Sequence, residues 1–389
     1  MVRRRQTLLG FLAALAAALG ALVWPAARPG IANRPRRRLT PAVVASDPPL
    51  GGGPVPPTQT LELATTTERG VDPARARLSP PVPGTWRWCA DDRLCFAPTA
   101  PLPMGATETL RLPLRVHAGN HIASQRRQAR TTTFTMTFRV ARASVGLAQV
   151  LLADLDYLPL RSATTLGARP TDSAAIDAAL TPTRAGESDS GARLADTLEW
   201  RWPSVPASLR ALWSPGQNTV LTAGAIVQFE RVEGLASGGY PPYRATLTPA
   251  FWHALLTAAL AGRRDPDDYA YAMVSEQAPE RLVLWSDGHD ALSTLVNTGI
   301  TGGATPTGTW AVYLRYPEQT MRGTTVTGQH YVYPDVKDVS YFEGNFAVHA
   351  FARAHYGFPQ SQGCVEVPPT IAPKIYDRLH YGSLVTISG

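Results

Sequence analysis

A cysteine and a histidine near the C-terminus are the residues best suited to carry chemistry in this sequence. His349 ends the segment 346–349 (Phe-Ala-Val-His), and Cys364 follows fifteen residues later in the segment 361–365 (Ser-Gln-Gly-Cys-Val). A free thiol with a pKa of about 8.5 is only a few per cent thiolate at pH 7, and a neighbouring imidazole raises that fraction. The spacing therefore predicts nucleophilic catalysis, with Cys364 as the nucleophile and His349 as its base.

The residues around Cys364 leave two interpretations open. Gly363 allows the backbone to approach closely, so the N–H groups of Gly363 and Cys364 are candidate donors to an oxyanion. The alternative is structural, because a buried cysteine is usually an inert core residue and a strand histidine often only packs. The Ser-x-Gly-Cys turn favours catalysis.

The other two cysteines, Cys89 and Cys95, flank a short turn and are predicted to bridge a hairpin. A disulfide that closes so small a loop stabilises the fold by roughly 2 kcal/mol. A metal site is disfavoured, because two thiols without a nearby histidine do not complete four ligands. Cys364 then remains unpaired.

The excess positive charge lies at the N-terminus, which argues against a nucleic-acid partner. The net charge is +7, but eight arginines precede residue 40, and without them 29 basic residues face 30 acidic ones. A basic start followed by an uncharged run at 7–24 predicts an export signal in residues 1–27. At about 18 residues the run also suits an uncleaved anchor. We therefore expect an exported protein of the cell envelope, anchored or secreted to the wall, that contacts the membrane only through this segment. In such a protein, the unpaired Cys364 indicates a reactive thiol or intermolecular pairing.

Composition divides the remaining chain into a Pro/Arg-rich linker at 28–56, a β segment at 57–142, a helical segment at 143–265 and a β-rich segment at 266–389. The linker is expected to be extended and disordered. The predicted fold class is multidomain and mainly β.

The β segment resembles bacterial Ig-like modules, which are β-sandwiches. It carries an alternating stretch at 61–64, two stretches at 84–88 and 94–96 that pair across a turn, and a β-branched run at 131–140.

The helical segment predicts helices at 148–155 and 222–232, and a third that begins at Thr248 with proline at its first position and Gly262 past its end. Its later part, residues 220–260, resembles a peptidoglycan-binding helical module. A structural spacer is the alternative.

The C-terminal segment is expected to bury its own core and to fold alone. Strands are predicted there at 269–275, 281–286, 309–316, 345–351 and 384–388.

Residues 269–389 resemble the catalytic domain of L,D-transpeptidases of the YkuD type. The likeness rests on the segment 305–309 (Thr-Pro-Thr-Gly-Thr), the strand that ends at His349, Gly357, the 361–365 motif and the final strand. It implies that Cys364 is acylated, that His349 is the base, and that the carbonyl of Ala350 orients the imidazole. It also implies peptidoglycan stem peptides as substrates, a carbapenem as covalent inhibitor, and no metal or cofactor.

Two positions depart from the family pattern. Gln362 stands where a second histidine is most common, and Glu366 stands where an arginine or asparagine usually follows. The missing cation puts recognition of the donor carboxylates in doubt unless Arg353 or Arg315 takes over that role.

Candidate substrate contacts surround the pair, although packing roles are equally open for several of them. His330 lies in a Gly/Thr/Tyr-rich stretch at 318–340 that is expected to form a flap, while His355 is expected to be exposed. The candidates are Ser361, Gln362, Tyr341, Asn345 and His330.

The predicted activity is a transpeptidase that joins stem peptides through a Cys364 acyl-enzyme. The same acyl-enzyme passed to water gives an L,D-carboxypeptidase, and a non-catalytic wall-binding protein with a degenerate domain is the non-enzymatic alternative. Papain-like and NlpC-type peptidases place the cysteine before the histidine, and sortases separate the two residues further.

Overall fold

The computed structural model describes residues 41–48, 53–68, 70–117, 129–162, 172–180, 194–235 and 247–389. The predicted export signal at 1–27 lies outside these residues. None of the helices in the described ranges has the length and hydrophobicity needed to span a membrane. Residues 40–389 cluster as one compact unit.

The N-terminal β region consists of two antiparallel sheets that enclose a shared apolar core. Leu61 and Leu94 from one sheet and Leu110 and Leu112 from the other are fully buried in it. The first sheet has the order β1 (Val43–Asp47), β2 (Leu61–Thr65), β5 (Arg93–Pro98), β4 (Gly84–Ala90), and the second has the order β3 (Arg77–Ser79), β6 (Thr107–His117), β7 (Ala129–Arg139). A short 3-10 helix, Pro73–Arg75, precedes β3. Two packed sheets agree with a β-sandwich, and the Ig-like assignment stays a prediction.

Two details of this region bear on the sequence analysis. The predicted disordered linker is wrong for its last part, because β1 pairs with β2 and Val55 bridges to Val140. Val55 is buried in the core, which explains why this part is ordered. Cys89 and Cys95 form a disulfide across the β4–β5 hairpin.

The helical region lies between the β region and the C-terminal sheets. Its third long helix begins and ends as predicted: Thr248 Oγ1 accepts from Phe251 N–H, and Gly262 ends the helix in the left-handed conformation. The helices are α1 (Val145–Asp154), α2 (Ser173–Leu180), α3 (Ala207–Arg210), α4 (Val220–Val232) and α5 (Pro249–Ala261), and a two-stranded ribbon joins β8 (Leu160–Arg161) to β9 (Glu199–Trp200).

A five-stranded sheet forms the centre of the C-terminal region. Its order is β12 (His289–Leu295), β11 (Arg281–Ser286), β10 (Ala270–Ser275), β18 (Leu384–Ser388), β13 (Gly308–Ala311). The single strand predicted at 309–316 is wrong. The chain leaves this sheet after Ala311 and enters another at Leu314, with the buried Val312 in the core between the two sheets.

The second sheet has four strands and carries the predicted flap. Its order is β14 (Leu314–Thr324), β15 (His330–Glu343), β16 (Phe346–Ala350), β17 (Val365–Val367), and a short helix α6 (Ala372–Tyr376) follows. The stretch at 318–340 forms most of the long β14–β15 hairpin. One face of this four-stranded sheet packs against the five-stranded sheet through residues such as Phe342, Val348 and Val365.

The five-stranded sheet is apolar on both faces. Alternate residues of a strand point to opposite faces, and in β10 Ala272 and Val274 join the core between the two sheets while Tyr271 joins the core formed with the helices. Trp285 and Leu384 also face the helices.

The segment 266–389 therefore buries a core of its own between its two sheets, as expected, but the outer face of its five-stranded sheet shares a second core with the helices. A cut before this segment would expose Tyr271, Trp285 and Leu384, each at most 1% exposed in the whole chain. At about 2 kcal/mol for each large apolar side chain, the loss approaches the whole stability of a typical domain.

Candidate active site

The pairing of β16 with β17 places the predicted nucleophile and base on one face. The strands are parallel, with Val348 opposite Val365 and His349 opposite Glu366. Val348 and Val365 point into the core between the sheets, so His349 and Glu366 point to the outer face. Cys364 precedes Val365 directly and packs against Ala347, which lies on the same outer face as His349.

The imidazole of His349 is held as expected. Its Nδ1 lies 3.0 Å from the carbonyl oxygen of Ala350, and the residue is only 4% exposed. When Nδ1–H donates to that carbonyl, Nε2 is left as the proton acceptor. Burial lowers the pKa of His349, although the bond to Ala350 and the charge of Glu366 act in the opposite direction. The lowered pKa favours the neutral imidazole, which is the form a general base needs.

The thiol of Cys364 is protonated in this arrangement. Burial raises its pKa to about 11, the backbone N–H of Ala347 opposes the shift, and the charge of Glu366 adds to it. Sγ lies 3.7 Å from the carbonyl oxygen of Asn345 and donates to it. The nucleophile therefore needs a base to take its proton, rather than existing as a thiolate at rest.

The turn before Cys364 is closed by the hydroxyl of Ser361. Ser361 Oγ donates to the carbonyl of Cys364 at 2.6 Å and accepts from the N–H of Gly363 at 3.0 Å. The prediction that the Gly363 N–H faces an oxyanion is therefore wrong, since this group is already bonded. Of the two predicted donors, the amide of Cys364 remains. Gly363 has a φ of +118°, and a Cβ there would lie 2.3 Å from the ring of Phe346.

Two of the predicted substrate contacts have internal roles instead. Ser361 is 1% exposed and its hydroxyl is engaged in the turn, so the prediction that it contacts substrate is wrong. Gln362 Oε1 accepts from the N–H of Val326 at 3.1 Å, which fastens the tip of the β14–β15 hairpin to the nucleophile turn. His330 lies on the exposed end of that hairpin, 3.1 Å from the hydroxyl of Thr324.

Tyr341 and Asn345 both lie beside the thiol. Tyr341 is opposite Ala347, on the outer face, and Gln319 donates to its hydroxyl. Asn345 contributes its backbone carbonyl to Sγ. These two positions remain candidates for substrate contact.

An aromatic wall that the sequence analysis missed continues this face. Tyr331 and Tyr333 stack with their ring centroids 4.9 Å apart, and Phe351 packs edge-on against Tyr333 at 5.1 Å and His349 at 5.9 Å. Tyrosines at positions 331 and 333 of a strand are expected to lie on the same face of the sheet. Which of the two faces they occupy follows only from the pairing of β15 with its neighbours.

Glu366, which stands where the family usually has an arginine or asparagine, forms an ion pair with Arg353. Arg353 Nε and Nη2 donate to the two carboxylate oxygens at 2.7 and 2.8 Å, and Nη2 also lies 3.3 Å from the carbonyl of Gln360. The guanidinium lies 4.7 Å from the ring centroid of Phe351. Arg315 instead stacks on Tyr376 at 4.0 Å. Of the two candidate arginines, Arg353 is thus the one beside the nucleophile turn, and its charge is matched by Glu366.

A family model described as the YkuD L,D-transpeptidase catalytic domain matches residues 269–387. No curated protein is significantly similar to the chain.

Several solved structures are similar at low TM-scores. The catalytic domain of an E. faecium L,D-transpeptidase acylated by ertapenem is 23% identical, with 31% of this chain and 97% of that chain covered and a TM-score of 0.28. An L,D-transpeptidase from Mycobacterium smegmatis is 11% identical, with 90% and 100% covered and a TM-score of 0.29. L,D-transpeptidase 3 from Mycobacterium tuberculosis, in complex with a faropenem-derived adduct, is 11% identical, with 90% and 98% covered and a TM-score of 0.29.

The functional assignment therefore rests on the family match and on the geometry around the thiol. Both concern the same residues, because Cys364 and His349 lie inside the matched range. The segment that carries the candidate nucleophile and base is thus similar to an L,D-transpeptidase catalytic domain.

Proposed function

We propose that the protein is a peptidoglycan L,D-transpeptidase that works through an acyl-enzyme on Cys364. The observation that carries the proposal is the shared outer face of β16 and β17, which carries both the thiol and a buried imidazole oriented by the Ala350 carbonyl. The family match to residues 269–387 supports the same reaction class.

Acylation begins when Nε2 of His349 takes the proton of Sγ. The thiolate attacks a carbonyl carbon of the donor stem peptide, and the amide of Cys364 stabilises the negative oxygen of the tetrahedral intermediate. The C–N bond then breaks, and the imidazolium gives its proton to the amine of the departing D-residue. A thioester on Cys364 remains.

Transfer to the acceptor reverses these proton movements. The side-chain amine of a diamino acid on a second stem attacks the thioester carbonyl, and the C–S bond breaks. The amine loses a proton through His349 to the leaving sulfur, which restores the thiol and leaves a new amide. Water in place of the amine gives the carboxypeptidase product from the same intermediate.

The decisive experiment uses a purified disaccharide-tetrapeptide donor and mass spectrometry. We expect a thioester adduct on Cys364 that lacks the terminal D-residue, and cross-linked dimers when an acceptor stem is present. A Cys364→Ala protein should form neither. Release of the tripeptide without dimers would identify a carboxypeptidase, and absence of any adduct on the wild-type protein would contradict both activities.

Ertapenem is the simplest covalent probe, since it acylates the E. faecium catalytic domain. Attack on the β-lactam carbonyl opens the ring and expels nothing, so the protein should gain the mass of the whole inhibitor at Cys364.

The upstream segments complete the proposal. We propose that residues 1–27 direct export to the envelope and that residues 143–265 contribute to binding of the wall. Fractionation of cells should place the chain in the envelope, and a Cys364→Ala protein should still sediment with insoluble peptidoglycan. Recovery in the cytoplasm would contradict the first part, and failure to sediment would contradict the second.

A further inference from the structure

A buried carboxylate lies behind the nucleophile turn, outside the machinery described so far. Glu280 is 0% exposed, immediately before β11. Both of its oxygens are used by one residue: Thr298 donates its backbone N–H to Oε2 at 2.6 Å and its hydroxyl to Oε1 at 2.7 Å. Burial raises the pKa of Glu280, and these two hydrogen bonds act in the opposite direction. A buried carboxylate is costly unless it is bonded in this way.

Thr298 in turn holds the chain that leads to the nucleophile. Its carbonyl oxygen accepts from the N–H groups of Gln360 and Ser361, both at 2.9 Å. Ser361 is the residue whose hydroxyl closes the turn around Cys364. A continuous line of hydrogen bonds therefore runs from Glu280 through Thr298 and Ser361 to the backbone of Cys364.

The adjacent residue fixes the other end of the turn. Asn297 exchanges two backbone hydrogen bonds with Glu366, at 2.9 and 3.1 Å, and its side chain accepts from the N–H of Gly357 at 3.1 Å. Residues 297 and 298 thus hold the turn on both sides of Cys364, and Glu280 is the buried side chain that holds residue 298 through two hydrogen bonds.

We propose that Glu280 is a positioning residue for the nucleophile, acting through Thr298 to fix the backbone that presents Cys364. The inference rests on the proposed function. Its consequence is specific: a shift of Ser361 moves the sulfur and the amide of Cys364 together, so it impairs the chemical step more than the binding of a ligand. Misplacement by about 1 Å costs on the order of 100-fold in rate.

The test compares Glu280→Ala with Glu280→Gln in the full chain, using ertapenem and intact-mass kinetics. We expect kinact of Glu280→Ala to fall about 10- to 100-fold while KI changes little. Glu280→Gln should stay within about threefold of the wild type, because its amide offers an oxygen to the Thr298 N–H and an N–H to the Thr298 hydroxyl.

The matched control is Leu63→Ala, in the core of the N-terminal β region. It should lower Tm and leave kinact unchanged, which separates general destabilisation from positioning. A folded Glu280→Ala protein with the kinact of the wild type would overturn the proposal. A Glu280→Gln protein as slow as Glu280→Ala would also contradict it, since the carboxylate would then act through its charge.

Two further measurements keep the test decisive. If Glu280→Ala does not fold, Thr298→Val removes only the hydroxyl bond, and an unchanged kinact in that protein overturns the proposal. If the wild-type protein is not acylated, the proposed function fails. The positioning role of Glu280 is then tested by amide hydrogen exchange of residues 358–366. Exchange should be faster in Glu280→Ala or Thr298→Val than in Leu63→Ala, and equal exchange rates would refute the positioning role.

Discussion

The two sheets of the C-terminal region differ in what their faces carry. The five-stranded sheet is covered on both faces, by the helices on one side and by the four-stranded sheet on the other. The four-stranded sheet packs one face on the five-stranded sheet, and its outer face bears Cys364 and His349, with the aromatic wall next to them; His349 and Ala347 on this face are at most 4% exposed. One sheet is thus packed on both faces, and the other presents the candidate catalytic side chains.

This difference explains why the upstream helices pack against the segment that carries the candidate active site. A sheet that must hold the reacting groups to within fractions of an ångström needs a support that does not move. The helices supply it by closing the second face, where Gly224 of α4 approaches Gly382 so closely that a Cβ would lie 2.5 Å from its carbonyl oxygen.

The largest expected effect comes from a substitution in the core that the five-stranded sheet shares with the helices, away from the candidate active site. Trp285 is 1% exposed and packs edge-on against Trp202 at 5.5 Å. We expect Trp285→Ala to lower the free energy of unfolding by about 3–5 kcal/mol, as for other buried tryptophans. Urea unfolding measures it, with the exposed Tyr333→Ala as the outer-face control, which should cost about 1 kcal/mol or less. Equal costs for both variants would show that the helices are not part of the core.

A second prediction concerns the thiol on the outer face. Because burial raises the pKa of Cys364 to about 11, its thiolate fraction should rise about tenfold per pH unit from pH 7 to pH 10. Alkylation of Cys364 by iodoacetamide should follow this slope, whereas free cysteine levels off above its ordinary pKa of about 8.5. A plateau of the protein below pH 9 would contradict the neutral resting thiol.

A smaller effect is expected on the pKa of His349 when the Arg353–Glu366 ion pair is changed. Arg353 lowers the pKa of His349 and Glu366 raises it, so Arg353→Met should raise that pKa. The imidazole then stays protonated to a higher pH, and the acidic limb of the acylation profile should shift upward, by up to about one pH unit. Replacing both partners by methionine removes both charges and should return the limb toward the wild type. An unshifted limb in Arg353→Met would show that the pair does not act on His349.

Much of the site was predictable because its signals are local. The Ser-x-Gly-Cys turn, the strand ending at His349 and the caps of α5 are each set by a few adjacent residues. The orientation of the imidazole by Ala350 came from the family resemblance, and the structure places that carbonyl at Nδ1.

The misses depend on core packing, on a side-chain rotamer or on a partner far away in the chain. The division of 309–316 between two sheets depends on Val312 fitting the core between them. The bond from Gly363 N–H to Ser361 Oγ depends on a hydroxyl rotamer. The partnership of Thr298 with Glu280 joins residues eighteen positions apart and leaves no trace in composition or periodicity.

The central claim is that His349 takes the proton of Cys364, and one rate comparison tests it most directly. We expect His349→Ala to slow acylation by ertapenem about 100- to 10,000-fold at pH 7, with Tm measured alongside to confirm folding. His330→Ala and His355→Ala, on exposed imidazoles, are the matched controls and should react at nearly the wild-type rate. If folded His349→Ala is acylated as fast as the wild type, the imidazole beside Cys364 is structural and the proposed mechanism is wrong.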